Sequence, residues 1–226
     1  MISRLTSLAA AILASALLSN CAGNNGLNIV SKSSIGGASN SRGHSHASLF
    51  SGKESFPTAA PSSTLVSSAS AKPKDRHNMP VYAFSDRNRV VRTTAYTCSE
   101  DDHLVYGSKN ATGTHLRYSN RVRSAAADWS FYPVGTVFRI KGLPYLYVVD
   151  DYGSALTGTG TVDIYKPSKD VMNQWGRRNV ELTIVQWGSF TRSAEILAKR
   201  TGFPHCRQMY ANIIRQRPDL AKVAQR

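Results

Sequence analysis

Apolar and polar residues alternate through Val90-Val-Arg-Thr-Thr-Ala-Tyr-Thr97, and the β-branched content of this stretch predicts a strand. Arg123-Ser-Ala-Ala-Ala127 predicts a second strand built of small residues. Thr136-Val-Phe-Arg-Ile140 follows the turn Tyr132-Pro-Val-Gly135, and Tyr145 to Val149 follows the turn Gly142-Leu-Pro144. Val162 to Tyr165 is a short fifth strand, and Val180-Glu-Leu-Thr-Ile-Val-Gln186 is a sixth. Ser168 is placed to cap a helix that runs to Trp175. Six short strands at this spacing predict a mainly β domain over residues 89–190, closed into a small barrel so that no edge strand is left exposed. After it, residues 191–226 predict a short, basic helical appendage. Its two helices are split at Gly202-Phe203-Pro204; Ala194, Leu197 and Ala198 form one apolar stripe, and Met209, Tyr210, Ile213 and Ile214 another.

Periodicity is missing before the barrel. Leu5 to Leu18 is an apolar run behind a lone Arg4, too short to span a bilayer, so residues 1–20 predict a secretory signal peptide. Cys21 stands where the lipidation cysteine of a bacterial lipoprotein stands, with Asn20 in place of the usual small residue. Residues 21–88 are rich in Ser, Ala and Gly and predict a flexible linker. His44 and His46 within it read as a solvated pair, and no metal site is predicted. The expected location is therefore outside the cytoplasm, in the periplasm or anchored to the outer membrane as a lipoprotein, with secretion as the alternative.

Charge sharpens this picture. The chain of 226 residues carries a net +14, but residues 90–190 hold eleven basic and nine acidic side chains, so the excess lies on the flanks. A nucleic-acid-binding core would show the reverse, and none is expected. Basic flanks on an exported monomer suit anionic wall polymer or lipid head groups. Of the three cysteines, acylation of Cys21 would leave Cys98 and Cys206 as a pair, and a disulfide between them is expected in an oxidising compartment.

The candidate chemistry lies in Asp150-Asp151-Tyr-Gly-Ser-Ala-Leu-Thr-Gly-Thr-Gly-Thr-Val-Asp163, where a Gly-rich connection joins two strand-like runs that end or begin on carboxylates. Folding this connection back can bring Asp151 and Asp163 together, and Asp128 lies just upstream. Asp beside Gly is also ordinary turn chemistry. Converging carboxylates are, however, what glycosidic bond cleavage needs: one must hold a proton for the leaving oxygen, and its neighbours help keep it there.

Several segments match one pattern in order: Thr93-Thr-Ala-Tyr-Thr97, Ala111-Thr-Gly-Thr114, Ala126-Ala127-Asp128, Tyr132-Pro-Val-Gly-Thr136, Asp151-Tyr-Gly-Ser-Ala-Leu-Thr-Gly158, Val162-Asp-Ile-Tyr165 and Gly176-Arg-Arg-Asn-Val180. The set resembles the three-aspartate (3D) domain, which is similar to the catalytic barrel of the MltA family of lytic transglycosylases. The resemblance implies a six-stranded double-psi β-barrel that needs no cofactor. It also implies cleavage of the β-1,4 bond between N-acetylmuramic acid and N-acetylglucosamine in peptidoglycan glycan strands, in which the muramic 6-hydroxyl replaces water and leaves a 1,6-anhydro end. Asp151 matches the acid/base of the family's Asp-x-Gly-x-Ala motif, with Asp150 as a rival, and Asp163 and Asp128 match the flanking carboxylates. Tyr96, Thr112, Gly113, Gly153 and Ser154 are the implied substrate contacts. Tyr152, Ser154 and Thr157 depart from the family's Thr, Gly and Lys, and the large second domain that completes the groove is missing. Two other readings use the same residues: a wall-binding, expansin-like module without turnover, and a glycoside hydrolase that uses water.

Overall fold

The computed structural model describes residues 56–57, 59–100 and 107–222. The predicted signal peptide, Cys21, His44 and His46 lie outside the described residues. Six strands close a barrel: β1 (Asn88–Tyr96), β2 (Val122–Ala127), β3 (Val137–Ile140), β4 (Leu146–Asp151), β5 (Val162–Tyr165) and β6 (Arg178–Gln186), in the order β1-β5-β2-β4-β3-β6. β1 runs parallel to β5 and β2 parallel to β4, while the remaining neighbours are antiparallel. The period-two pattern explains the closure. Val91, Ala125 and Ala127, Phe138 and Ile140, Tyr147 and Val149, Val162 and Ile164, and Val180, Leu182 and Ile184 all point into one core. Phe138 and Tyr147 stack at its centre with ring centroids 5.3 Å apart.

The C-terminal helices belong to this core. α2 (Lys169–Trp175) starts at Ser168, whose side chain accepts from the Val171 amide, as the sequence predicts. α3 (Phe190–Ala198) is capped by Ser189, and α4 (Pro204–Gln216) begins on Pro204, where the missing N–H costs nothing. Ala194, Leu197, Cys206, Met209 and Ile213 are buried against the barrel. The tail is thus a packed part of the domain.

Two expectations are corrected here. The segment 21–88 is not flexible throughout: Ser63–Ser70 forms a helix, α1, and the chain on both sides of it is tied to the barrel. Asp75 accepts from the amide of Gly160, Arg76 donates to the carbonyl of Ala155, and Glu181 accepts from the amide of Ser62. Arg89 is buried beneath the rings of Tyr82, Tyr132 and Trp187 and donates to the carbonyls of Ala83 and Asp86. The contacts of Ser62, Asp75 and Arg76, and those of Arg89 with Tyr132 and Trp187, are long-range, and a composition rich in Ser and Ala carries no sign of them. The second correction concerns the Cys98–Cys206 bridge. Cys206 is a free, buried thiol, and Cys98, which is disulfide-bonded, is not its partner. Cys206 packs in the main core, whereas Cys98 belongs to a separate small cluster with Tyr96, Ala126, Leu156 and Tyr165.

Candidate active site

The site is built on a break in strand register. Ser124 pairs with Val148 and Ala125 with Val149, but Ala126 pairs with Asp151, so Asp150 is an extra residue bulged out of β4. A bulge interrupts the alternation of faces and re-aims side chains. Without it, two adjacent residues of a strand would point to opposite faces. Here both Asp150 and Asp151 are turned toward the small cluster around Tyr96, away from the barrel core.

Register then places the other groups. Asp151 is beside Ala126, Ala126 is beside Asp163, and Asp163 is beside Thr94. Asp151 and Asp163 are therefore two strand spacings apart at the backbone, about 10 Å, with only the methyl group of Ala126 between them. Tyr96 unites the set. Its ring is buried, its hydroxyl donates to Asp151 Oδ2 at 3.2 Å, and the charges of Asp151, Asp150 and Asp163 all act on it. Burial first, and these three carboxylates second, raise its pKa well above the ordinary tyrosine value, so the phenol keeps its proton and donates.

The two adjacent carboxyl groups have opposite surroundings. Asp151 accepts at both oxygens: Oδ1 from the amides of Ala111 and Tyr152, each at 3.0 Å, and Oδ2 from Tyr96. Such a set of donors suits an ionised carboxylate. Asp150 accepts one hydrogen bond, from Ser124 Oγ to Oδ2 at 2.8 Å, while its buried Oδ1 has no partner. Burial pushes the Asp150 pKa up to about 7, the charge of Asp151 adds to the rise, and Ser124 and Arg117 oppose it. Burial therefore lets Asp150 hold its proton up to about pH 7, beside a carboxyl group whose two oxygens already accept three hydrogen bonds.

This has a consequence for stability. A carboxyl group whose pKa is raised in the folded state binds more protons there than in the unfolded chain, so its contribution falls as pH rises from about 4 to about 7. We expect Asp150→Asn to be more stable than the parent, by a margin that widens across that window and is constant above it. Denaturant unfolding of both proteins at pH 4, 6 and 8 checks this; a margin independent of pH would contradict the assignment.

The turn over Asp151 is organised by a residue that sequence reasoning passed over. Asn110 Oδ1 accepts from the amides of Thr112 and Thr114 and from the Thr112 hydroxyl, an Asx arrangement that shapes Ala111-Thr-Gly-Thr114 and aims the Ala111 amide at Asp151. Thr112 is half-buried and Gly113 is exposed, with φ +83 and open space where a Cβ would stand. On the other side, Gly153 precedes a 3₁₀ turn, Ser154–Leu156, in which Ser154 is exposed. Both turns adjoin residues whose amides donate to Asp151, Ala111 on one side and Tyr152 on the other. Ser124, Thr94 and Trp129, whose indole N–H donates to the Asp151 carbonyl, are further members of the site. An Asn three residues ahead of a Gly turn is a signal that could have revealed Asn110; nothing local points to Ser124 or Trp129.

Asp128 stands differently from the other aspartates. It is fully buried and accepts from the Ser130 amide and hydroxyl and, at 2.6 Å, from the Gly158 amide. Burial raises its pKa, and these hydrogen bonds oppose the rise. It fastens the Gly-rich loop that joins β4 to β5. Thr157, at the position of the family's Lys, is buried and donates to the Gly153 carbonyl, so the loop offers no cation there.

Residues 123–186 match the family model of the 3D domain. The 3D domain is found in cell-wall-associated and lytic-transglycosylase-like proteins and is associated with peptidoglycan-active enzymes. The match begins inside β2 and ends with β6, so it contains Asp128, Asp150, Asp151 and Asp163, whereas Thr94, Tyr96 and Asn110 come from outside it. No curated protein matches the chain.

Proposed function

We propose that this 3D barrel cleaves the β-1,4 bond between N-acetylmuramic acid and N-acetylglucosamine in peptidoglycan as a lytic transglycosylase. The observation that carries the reading is the pairing of a buried Asp150, whose pKa desolvation pushes up to about 7, with a hydrogen-bonded Asp151 beside Tyr96, and with Asp163 across Ala126. In the reaction Asp150 gives its proton to the glycosidic oxygen as the bond to the muramic anomeric carbon breaks. The charges of Asp151 and Asp163 stabilise the oxocarbenium-like centre. The muramic 6-hydroxyl then bonds to that carbon, and its proton passes to Asp151 and on to Asp150, restoring the pair. Atoms balance without water, and no metal is needed. Glycan strands incubated with the protein should show 1,6-anhydro ends by mass spectrometry; reducing ends would assign a hydrolase instead.

One observation favours the wall-binding alternative: Asp150 and Asp151 are each only 5% exposed. Strand binding without any new chain end would establish that reading.

Export is part of the proposal, since a disulfide at Cys98 suits an oxidising compartment. Acylation competes with it. A sulfur that carries acyl chains cannot join a disulfide, and with Cys206 free, acylation of Cys21 would leave Cys98 without a cysteine in the chain to bond to. We expect peptide mapping of protein from its export compartment to return Cys206 as a free thiol, alkylated only after denaturation, and Cys98 in a disulfide. Acyl chains on Cys21 with a free Cys98 would establish the lipid anchor instead.

A further inference from the structure

A cavity of about 350 Å³ opens on the outer side of the barrel, lined by His77, Met79, Arg92, Arg177, Arg178 and Asn179. Three guanidinium groups on one small cavity make a locally positive site, and among the described residues none of the three is ion-paired. Arg177 is exposed, and its side chain makes no hydrogen bond among the described residues. Among the described residues Arg92 donates one side-chain hydrogen bond, from Nη1 to the Thr161 hydroxyl at 3.2 Å, which leaves most of its fork unused there. Arg178 is different: it donates to the carbonyls of Gln174 and Trp175 and packs over the Trp175 ring at 4.8 Å, so it forms a fixed positive wall. The pKa of His77 is lowered by desolvation and then by the charges of Arg92, Arg76 and Arg177, with only Asp75 acting the other way.

Position connects this cavity to the carboxylates. Arg92 and Thr94 are two residues apart on β1, about 7 Å along one face of the strand, and Thr94 donates to Asp163. Arg92 is also directly paired with Asn179 across to β6. A glycan lying over Asp151 and Asp163 would thus have the basic cavity at its flank, within reach of a substituent on one of its sugars.

Resting on the function proposed above, we propose that this cavity binds the carboxylates of the peptide stem attached to muramic acid, so that the protein selects peptide-bearing over stripped glycan. An open recess lined by three arginines, with Met79 as an apolar wall, suits a short acidic peptide better than it suits a flat lipid surface.

The test is calorimetric and needs no turnover. The full chain is titrated with an N-acetylmuramyl peptide bearing free carboxylates, with the same compound fully amidated, with inorganic phosphate, and with vesicles containing phosphatidylglycerol. The acidic muropeptide should bind at least about tenfold more tightly than the amidated form, the scale of one lost charge-assisted hydrogen bond. Arg177→Ala, which removes an exposed side chain, and Arg92→Gln should each weaken the acidic ligand several-fold and leave the amidated one unchanged. Equal binding of the two muropeptides, indifference of both variants, or displacement of the muropeptide by phosphate or by the vesicles would overturn the proposal. Its failure is separable from that of the catalytic reading: anhydro ends formed equally from peptide-bearing and stripped strands would sink the cavity's role alone. Selective muropeptide binding without any cleavage would sink the catalytic reading alone.

Discussion

Asp151→Asn is expected to abolish release of 1,6-anhydro ends, with a loss of about 10² to 10⁴ in rate, the range supplied by a positioned acid/base. The substitution keeps the acceptor for the amides of Ala111 and Tyr152 but turns an amide group toward Tyr96. The fold should survive with a penalty of about 1 to 2 kcal/mol, so circular dichroism and strand binding should stay close to those of the parent. Asp150→Asn should also lose cleavage, because it removes the proton at the source. The parent's activity should fall as pH rises through about 7, where Asp150 ionises. Parent-like rates in Asp151→Asn, with loss confined to Asp150→Asn, would reduce the mechanism to a single carboxyl group. Parent-like rates in both would remove catalysis from this face of the barrel. Product analysis on defined strands across pH 5 to 9 separates these outcomes.

The largest structural effect is expected at Gly188, the joint between β6 and the C-terminal helices. A Cβ built there would lie well under 3.0 Å from the carbonyl oxygens of Pro133 and Val134 and from the amide of Thr136. All three are backbone atoms and cannot rotate aside. The joint is also knit by hydrogen bonds from the Gly188 amide to the Thr136 hydroxyl and from the Ser189 amide to the Val134 carbonyl. Gly188→Ala should therefore cost about 3 kcal/mol or more, at the severe end for a single substitution. It should also loosen α3 and α4, exposing Cys206 to alkylation in otherwise native protein. Denaturant unfolding combined with thiol labelling reads both effects. A neutral result would mean that the helices do not depend on this close approach. Gly202→Ala is the control, since nothing lies within 4 Å of its Cβ position.

Much of this molecule is written in local pattern. Strand alternation in Val91 and Thr93, Phe138 and Ile140, and Leu182 and Ile184 directs those side chains inward, because a pleated strand has only two faces. Ser168, Pro204 and the break at Gly202-Phe203-Pro204 mark helix ends through capping and a missing N–H, effects that act over a few residues. The Asp150–Asp163 stretch was legible as candidate chemistry for the same reason, since its carboxylates and glycines are neighbours in the chain.

What tertiary structure decided depends on distance in sequence. Whether Asp150 or Asp151 joins the site had no local answer; the bulge against β2 brings in both. The division of their protonation states follows from burial and from donors on Ser124, Ala111 and Tyr96, which come from three other parts of the chain. Asp128, equivalent to the others by motif, became the clasp of a loop once its oxygens met Ser130 and Gly158. Cys98 and Cys206 could be paired by counting, but packing put one in the small cluster by Tyr96 and the other in the main core. Composition alone made residues 63–88 a linker, because no local pattern records that Arg89 and Asp75 would find partners on the barrel. Local sequence determines which face a side chain takes and where an element ends; which charges meet, and which of them keep a proton, is settled only when strands distant in the chain set the burial and hydrogen bonding around each group.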